Sequence, residues 1–181
     1  LTGAATTANR FYDYPDYSIL TESSSSFYFY ARGFDTVTAS SPGTAITYAY
    51  LYDSTGTDTL TADPTTTAMD RAAPWSDTTA SGFKRLYAYS NRGGTDTAAL
   101  TGSLSGGNIY RGYPTYSTLT NTAGSFYRYA SGFRSVTAIG SRTDPSNDRA
   151  YLYDSSGADT LSKAFSENGK YQGGSLTDGV T

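Results

Sequence analysis

The sequence contains no cysteine and no histidine. Without cysteine, the chain has no disulfide bond, no thiolate metal site and no cysteine nucleophile. Without histidine, it lacks the most common general base and a frequent metal ligand. Together, these absences remove many of the catalytic and metal-binding arrangements that a chain of 181 residues could otherwise carry.

Large apolar side chains are also scarce. Only 26 of the 181 residues are Leu, Ile, Val or Phe, a proportion typical of disordered chains. Disorder of that kind also requires a high net charge, whereas the formal net charge here is only −3. The 18 tyrosines replace the missing aliphatic residues. Such a composition favours strands and turns over helices.

The sequence gives no reason to expect nucleic acid or a membrane as a partner. No apolar run approaches the length that spans a bilayer. The charge balance does not favour binding to nucleic acid or to an anionic membrane surface. We therefore expect no nucleic-acid partner and no membrane insertion.

A repeat of about 50 residues runs through the chain. The motif A-x-G-F ends at Phe34, Phe83 and Phe133, and a proline-led motif begins at Pro15, Pro64 and Pro114. Each repeat also divides in two, because GFDTVTA at 33–39 resembles GTDTLTA at 56–62. Aligned apolar residues then recur about every 25 residues, at Phe11, Val37, Leu60, Leu86, Tyr110, Val136 and Leu161.

A unit of about 25 residues predicts an all-β fold, a repetitive β-solenoid or parallel β-helix with one unit per coil. A β-propeller or a sandwich is the alternative. We expect the solenoid to cover residues 1–161, about three and a half of the longer repeats, and residues 162–181 to form an irregular cap, loop or linker.

Stacked coils would bury the aligned residues together. Val37, Leu60, Leu86, Val136 and Leu161 are expected to form one buried column, with Phe34, Phe83 and Phe133 buried beside it. The glycine before each phenylalanine is expected at a corner. In the motif F-Y-x-Y-A, burial of Arg128 is unfavourable, so Tyr127 and Tyr129 are expected to point inward instead.

The same alignment predicts a ladder of polar residues two positions before the apolar markers. Its members are Asp35, Asp58, Lys84, Asn108, Arg134 and Asp159. Coils in register would place Lys84 between Asp58 and Asn108. Exposed pairs of this kind contribute about 0–1 kcal/mol each, so the ladder would specify register more than stability.

Four aspartates are weak candidates for calcium binding. Asp53 and Asp58 in AYLYDSTGTDTL match Asp154 and Asp159 in the near-copy AYLYDSSGADTL. Calcium-binding β-rolls repeat their G-x-D motif much more closely than every 25 residues. Turn formation is therefore the preferred interpretation, and we expect neither a cofactor nor a metal.

The sequence offers no catalytic residues, because its acids are tiled with the repeat rather than set apart as a pair. Pairs of threonines at 36–38 and 59–61 are typical of an ice-binding array, but Arg85 and Tyr87 would interrupt it. Strand alternation places Tyr50, Tyr52, Tyr151 and Tyr153 outside, as a surface for sugars, other proteins or another copy.

The motifs Y-L-Y-D-S-x-G-x-D-T-L and A-x-G-F-x-x-V-x-A resemble tandem repeats of large secreted surface proteins of bacteria, including planctomycetes. The resemblance implies a structural, fibre-forming or adhesive role at the cell surface, without catalysis. Neither end shows a capping pattern, so further repeats or another copy are expected to cover the ends. The alternatives are a carbohydrate-binding or carbohydrate-cleaving β-helix and an ice-binding solenoid.

Overall fold

The computed structural model describes residues 1–24, 27–141, 143 and 147–153 in full, and the strands at 160–165 and 171–177 by their backbone. In the described residues, the chain forms seventeen β-strands and no α-helix. The strands build a β-solenoid of about four turns from two sheets. The predicted fold class, an all-β solenoid, is confirmed.

The strand bounds are, in chain order, β1 Asn9–Tyr14, β2 Tyr17–Glu22, β3 Tyr28–Arg32, β4 Thr36–Ser40, β5 Tyr48–Tyr52, β6 Thr59–Ala62, β7 Thr66–Asp70, β8 Asp77–Ser81, β9 Arg85–Tyr89, β10 Thr97–Thr101, β11 Asn108–Gly112, β12 Tyr116–Asn121, β13 Tyr127–Ser131, β14 Ser135–Ile139, β15 Arg149–Leu152, β16 Thr160–Phe165 and β17 Tyr171–Thr177. The nine-stranded sheet has the order β15-β11-β12-β13-β9-β5-β1-β2-β3. The eight-stranded sheet has the order β16-β17-β14-β10-β6-β7-β8-β4.

Each 50-residue repeat contributes an antiparallel three-stranded meander and two single strands. The meander β1–β3 lies in the nine-stranded sheet, the next, β6–β8, in the eight-stranded sheet, and β11–β13 in the nine-stranded sheet again. Successive repeats therefore place equivalent residues in opposite sheets, and a residue returns to the same sheet two repeats later.

The coil is longer than the sequence predicts. Arg10 pairs in parallel with Tyr48, which pairs with Arg85, so the chain returns to its parallel neighbour after about 38 residues rather than 25. The parallel pairs in the eight-stranded sheet keep a similar step, as for Thr59 with Thr97. The step is longer because each coil includes a whole three-stranded meander in addition to single strands.

The predicted core residues are buried, but they do not form one column. Val37, Leu60 and Val136 lie in the eight-stranded sheet, whereas Leu86 lies in the nine-stranded sheet. The single column is therefore wrong, because the meanders alternate between the sheets. Inward residues of both sheets together form one hydrophobic cluster. The side chain of Leu161 lies outside the described residues.

The phenylalanine motif shows how position changes burial. Phe83 is buried and Phe133 is partly buried against the core, but Phe34 is 61% exposed. Phe34 follows β3, an edge strand of its sheet, so the prediction of its burial is wrong. The preceding glycines form the predicted corners, with φ angles of 75°, 74° and 79° at Gly33, Gly82 and Gly132. Such angles are readily available only to glycine.

Arg128 points into the molecule, so the expected inward placement of Tyr127 and Tyr129 is wrong. Its guanidinium donates hydrogen bonds to the carbonyl oxygens of Asp63, Lys84 and Tyr127 at 2.8–3.2 Å. These acceptors offset much of the cost of removing the charge from water. Burial lowers the pKa of Arg128 to about 10.

The C-terminal part contains strands where the sequence predicts an irregular segment. β17 pairs with β14, and β16 pairs with β17, which extends the eight-stranded sheet by two strands. Across the described residues, no helix has the length and hydropathy to cross a bilayer.

Candidate functional site

Tyrosines cover the outer face of the nine-stranded sheet. In β5, Leu51 is fully buried, whereas Tyr50 and Tyr52 on either side of it are partly exposed. Tyr151 and Tyr153, two repeats later, are 41% and 43% exposed. The predicted outward placement of these four tyrosines is confirmed.

Nine tyrosines form a continuous row across this sheet, one within or directly after each strand. Neighbouring ring centroids along the row are 4.3–5.9 Å apart. Most of these contacts are stacked, and the one between Tyr89 and Tyr129 is tilted. The members in spatial order are Tyr30, Tyr17, Tyr14, Tyr52, Tyr89, Tyr129, Tyr116, Tyr113 and Tyr153.

A shorter row lies beside it. Tyr50 stacks between Tyr12 and Tyr87, with ring centroids 4.9 and 5.3 Å apart. Burial, followed by the proximity of other tyrosines, raises the pKa of Tyr50 above its ordinary value. The hydroxyl groups are therefore neutral near pH 7 and can donate or accept hydrogen bonds at the surface. We call the two rows together the tyrosine face.

Arginines share this face. Outward positions of its strands carry five of them, at Arg10, Arg32, Arg85, Arg111 and Arg149. The guanidinium carbon of Arg85 lies 5.6 Å from the ring centre of Tyr127, and that of Arg111 lies 5.5 Å from Tyr151. The only acids in the described strands of this sheet, Asp13 and Glu22, point inward and are buried. The tyrosine face is therefore aromatic and basic.

The outer face of the eight-stranded sheet is different. Small side chains fill its outward positions, among them Thr36, Thr38, Thr59, Thr61, Thr97, Ser135 and Thr137. Arg85 and Tyr87, which were expected to interrupt a threonine array, belong to β9 in the other sheet. That expectation is wrong, because equivalent residues of successive repeats do not share a face. We call this surface the threonine face.

The sheet, rather than the position in the repeat, decides where tyrosine occurs. The outward residues Tyr48, Tyr50 and Tyr52 of β5 correspond to Thr97, Ala99 and Thr101 of β10, one repeat later and in the other sheet. Two repeats later, in β15, the tyrosines return. AYLYDSTGTDTL at 49–60 is therefore nearly copied at 150–161, and not at about 100.

An acidic cluster lies at one end of the strands. Asp53, Asp58 and Asp96 are each fully or almost fully buried, and one carboxylate oxygen of each lies within 4.8 Å of the others. Two members, Asp53 and Asp58, are among the weak calcium candidates from the sequence. The other two candidates, Asp154 and Asp159, lie outside the described residues.

Hydrogen bonds hold two of the three carboxylates. Asp58 accepts hydrogen bonds from the backbone N–H and the hydroxyl of Ser54, so it shapes its turn as the sequence predicts. Asp96 accepts from the N–H of Asp58 at 2.7 Å and from the hydroxyl of Ser90 at 2.6 Å. Asp53 Oδ2 accepts from the N–H of Arg92, but Asp53 Oδ1 is buried without a hydrogen-bond partner. Burial and then the neighbouring carboxylates raise the pKa of Asp53.

The predicted charge ladder is not formed. Asp35, Asp58 and Arg134 precede strands of the eight-stranded sheet, whereas Lys84 and Asn108 belong to the nine-stranded sheet. The residue beside Asp58 is Asp96, and the N–H of Arg134 donates to the carbonyl of Asp96 in turn. The ladder is therefore wrong for the same reason as the single apolar column. Asp159 lies outside the described residues.

A buried ion pair joins the two sheets. Asp13 of β1 accepts a hydrogen bond of 2.5 Å from the guanidinium of Arg71, which follows β7, and both side chains are inaccessible to solvent. Arg71 also donates to the carbonyl oxygens of Tyr52 and Ser76 and to the hydroxyl of Thr78. The pair is enclosed among the strands and offers no open position to a substrate, so its role is structural.

Sequence reasoning missed Asp96 as a partner of Asp53 and Asp58. A signal is present, because the motif T-D-T occurs at 57–59 and again at 95–97. These segments lie next to each other in parallel strands, 38 residues apart. The assumed 25-residue coil concealed this neighbourhood.

Comparison with known proteins finds no matching family model, no matching curated protein and no matching solved structure.

Proposed function

We propose that the chain is a structural module of an extracellular fibre, surface layer or adhesin, and that its copies associate through the tyrosine face. The observation that carries this proposal is that tyrosine follows the sheet and not the repeat. A requirement of the repeat fold alone would place the same residue types on both outer faces. The resemblance of the motifs to secreted bacterial surface repeats supports the location.

The chemistry of the tyrosine face supports association. Aromatic pairs contribute roughly 0.5–1.5 kcal/mol beyond the apolar area that they bury, and tyrosine is enriched in protein interfaces. The rings are already ordered by stacking on one another within the row. A partner that covers them therefore pays little further side-chain entropy.

Charge favours contact between the tyrosine face of one copy and the threonine face of the next. Two tyrosine faces would oppose their arginines directly, which is unfavourable. The eight-stranded sheet instead presents exposed Asp70 and Asp77, and exposed Asp35 precedes β4. A contact between two different faces is heterologous, and it propagates into an open assembly unless its rotation closes a ring.

The test is sedimentation of the full chain over a range of concentrations and salt. We expect concentration-dependent association that weakens with salt. Replacing Tyr14, Tyr52 and Tyr89 together by threonine, the residue type of the other face, should abolish it. Asp70→Arg should also weaken it, because this change adds positive charge opposite the arginines. Ala123→Arg, at an exposed turn outside both faces, is the control and should have no effect.

The outcomes separate the alternatives. A monodisperse monomer at every concentration would contradict self-association. Association that is lost in the tyrosine variant but unchanged by Asp70→Arg would indicate contact between two tyrosine faces. A monomer that binds polysaccharide, with loss of binding in the tyrosine variant, would favour the carbohydrate-binding alternative.

A second candidate function is ice binding through the threonine face. It is favoured because the residues expected to interrupt the array, Arg85 and Tyr87, lie on the opposite side. Exposed Thr59 and Thr97 are aligned across neighbouring strands, and Thr61 repeats the hydroxyl along β6. Thermal hysteresis in the wild-type chain that is lost in Thr61→Tyr would support this function.

A further inference from the structure

Three equivalent loops precede the meanders of successive repeats. The first residue of each loop donates its N–H to the carbonyl at the end of a neighbouring strand. These donors are Gly3, Asp53 and Gly102, and their acceptors are Ser40, Tyr89 and Ile139. Five or six residues later, each loop reaches Asn9, Asp58 or Asn108 at the start of the meander. The loops therefore form a matched series within one chain.

In the first and third loops, an asparagine satisfies its own surroundings. Asn108 accepts from the N–H of Ser103 and donates to the carbonyl of Ser103 and to Asp148 Oδ1, at 2.7, 2.9 and 3.0 Å. Asn9 makes the same exchange with the backbone of Ala4 and also donates to the hydroxyl of Ser41. An amide can do this because it both donates and accepts.

In the middle loop, three substitutions remove that solution. Asp58 replaces asparagine, Asp53 replaces glycine, and Asp96 takes the place that Thr47 occupies beside Asn9. An ionised carboxylate cannot donate a hydrogen bond. Three buried carboxylates then meet where the neighbouring loops place at most one. Neither salt bridge of the described residues involves them.

The orphaned oxygen points to the missing component. Asp53 Oδ1 is enclosed and unpartnered, and the side chain of Asp53 places a carboxylate oxygen within 4.8 Å of Asp58 and Asp96. Leaving a buried charged acceptor unsatisfied is costly. A cation bound among the three oxygens would remove both this cost and the mutual repulsion.

We propose that Asp53, Asp58 and Asp96 form a binding site for a divalent cation of the size of calcium. Calcium takes oxygen ligands at about 2.3–2.6 Å, so oxygens on opposite sides of the ion lie about 5 Å apart, a spread that accommodates the full 4.8 Å limit. Magnesium, at about 2.0–2.1 Å, requires the oxygens to lie within about 4.2 Å. The hydrogen bonds that Asp58 and Asp96 accept leave each oxygen a second lone pair for the ion.

The ion would link parts of the chain that are distant in sequence. Asp53 and Asp58 flank one loop, and Asp96 precedes β10, which pairs in parallel with β6. Thr57 and Thr95, next to two of the ligands, are exposed, so the site lies close to solvent. Water can therefore complete the six to eight ligands that calcium requires.

The test uses the full chain freed of metal with a chelator, with CaCl₂ or MgCl₂ added at equal ionic strength. Isothermal titration should detect one calcium site in this loop, and calcium should raise the midpoint of thermal unfolding. At a calcium concentration 100 times the dissociation constant, the unfolding equilibrium constant should fall about 100-fold. Magnesium at the same concentration should have a smaller effect.

Asp58→Asn is the decisive variant, because it recreates the Asn108–Asp148 arrangement of the next loop and is expected to fold. It should lose the calcium response, as should Asp53→Asn. The matched control is Asp148→Asn at the third loop, which should keep the full response. No calcium effect on the wild-type chain, an equal effect in Asp58→Asn, or equal stabilisation by magnesium would each overturn the proposal.

Discussion

The two sheets of the solenoid bury similar residues and expose different ones. Leu86 in the nine-stranded sheet corresponds in the repeat to Val136 in the eight-stranded sheet, and both are buried. Their outward neighbours, however, are Tyr87 on one sheet and Thr137 on the other. The inward residue therefore follows the repeat, because both inner faces contribute to the same core, whereas the outward residue follows the surface to which it belongs.

The largest expected effect concerns the inner faces. Leu86→Asp should lower the free energy of unfolding by about 4 kcal/mol or more, because it buries an unpaired charge and removes apolar contacts. Val136→Asp should have an effect of the same sign, since its position is equivalent. Chemical denaturation measures both. Tyr87→Asp, next to Leu86 but outward, is the control and should cost far less. A similar loss in Tyr87→Asp would contradict the assignment of the faces.

The connection between the sheets gives the next largest effect. Arg71→Met should cost about 3–5 kcal/mol, because it leaves the carboxylate of Asp13 buried without its guanidinium partner. The measurement is again the free energy of unfolding by denaturant. A loss below about 1 kcal/mol would mean that the pair contributes little to holding the sheets together.

The pH dependence of the Arg71→Met variant provides a second readout. Burial raises the pKa of Asp13 in the folded protein above its unfolded value, even though Arg71 lies beside it. A folded state with the higher pKa gains stability relative to the unfolded state as the pH falls. Loss of Arg71 raises that pKa further, so the deficit of the variant should shrink between about pH 7 and about pH 4. A deficit that is constant with pH would contradict this origin.

The fold class and the orientation of most strand residues follow from the sequence, but the stacking does not. Alternation places Leu51 inside and Tyr50 outside without any knowledge of the fold. The likeness of GFDTVTA at 33–39 to GTDTLTA at 56–62 was interpreted as two successive coils. The two segments instead belong to β4 and β6, which lie in the same sheet with β8 and β7 between them. Local similarity identifies a shared environment, not a neighbour.

The buried polar groups could not be predicted because their partners are distant in sequence. Arg128 is satisfied by the carbonyl of Asp63, 65 residues away, and Asp13 by Arg71, 58 residues away. A local rule that keeps charges outside fails where the fold supplies acceptors from another coil. The acidic cluster is an intermediate case, since two of its three members were singled out and the third required the parallel step of 38 residues.

The smallest expected effect exchanges single residues between the outer faces. Tyr52→Thr removes ring contacts with Tyr14 and Tyr89, at 4.6 and 5.3 Å, and should lower the free energy of unfolding by about 1–2 kcal/mol. Thr61→Tyr, on the threonine face, has only alanines as its cross-strand partners, Ala68 and Ala99, and should change stability by less than about 0.5 kcal/mol.

The asymmetry between these two substitutions decides what the tyrosine rows contribute. If stacking within the face stabilises the isolated chain, a tyrosine gains its contribution only beside other tyrosines, and Tyr52→Thr must cost more than Thr61→Tyr gains. Denaturation at low protein concentration, where copies are separate, measures this difference. Equal and negligible effects would show that the rows contribute nothing to the single chain. The restriction of tyrosine to one sheet would then be explained by contacts between molecules alone, which would strengthen the case for assembly through this face.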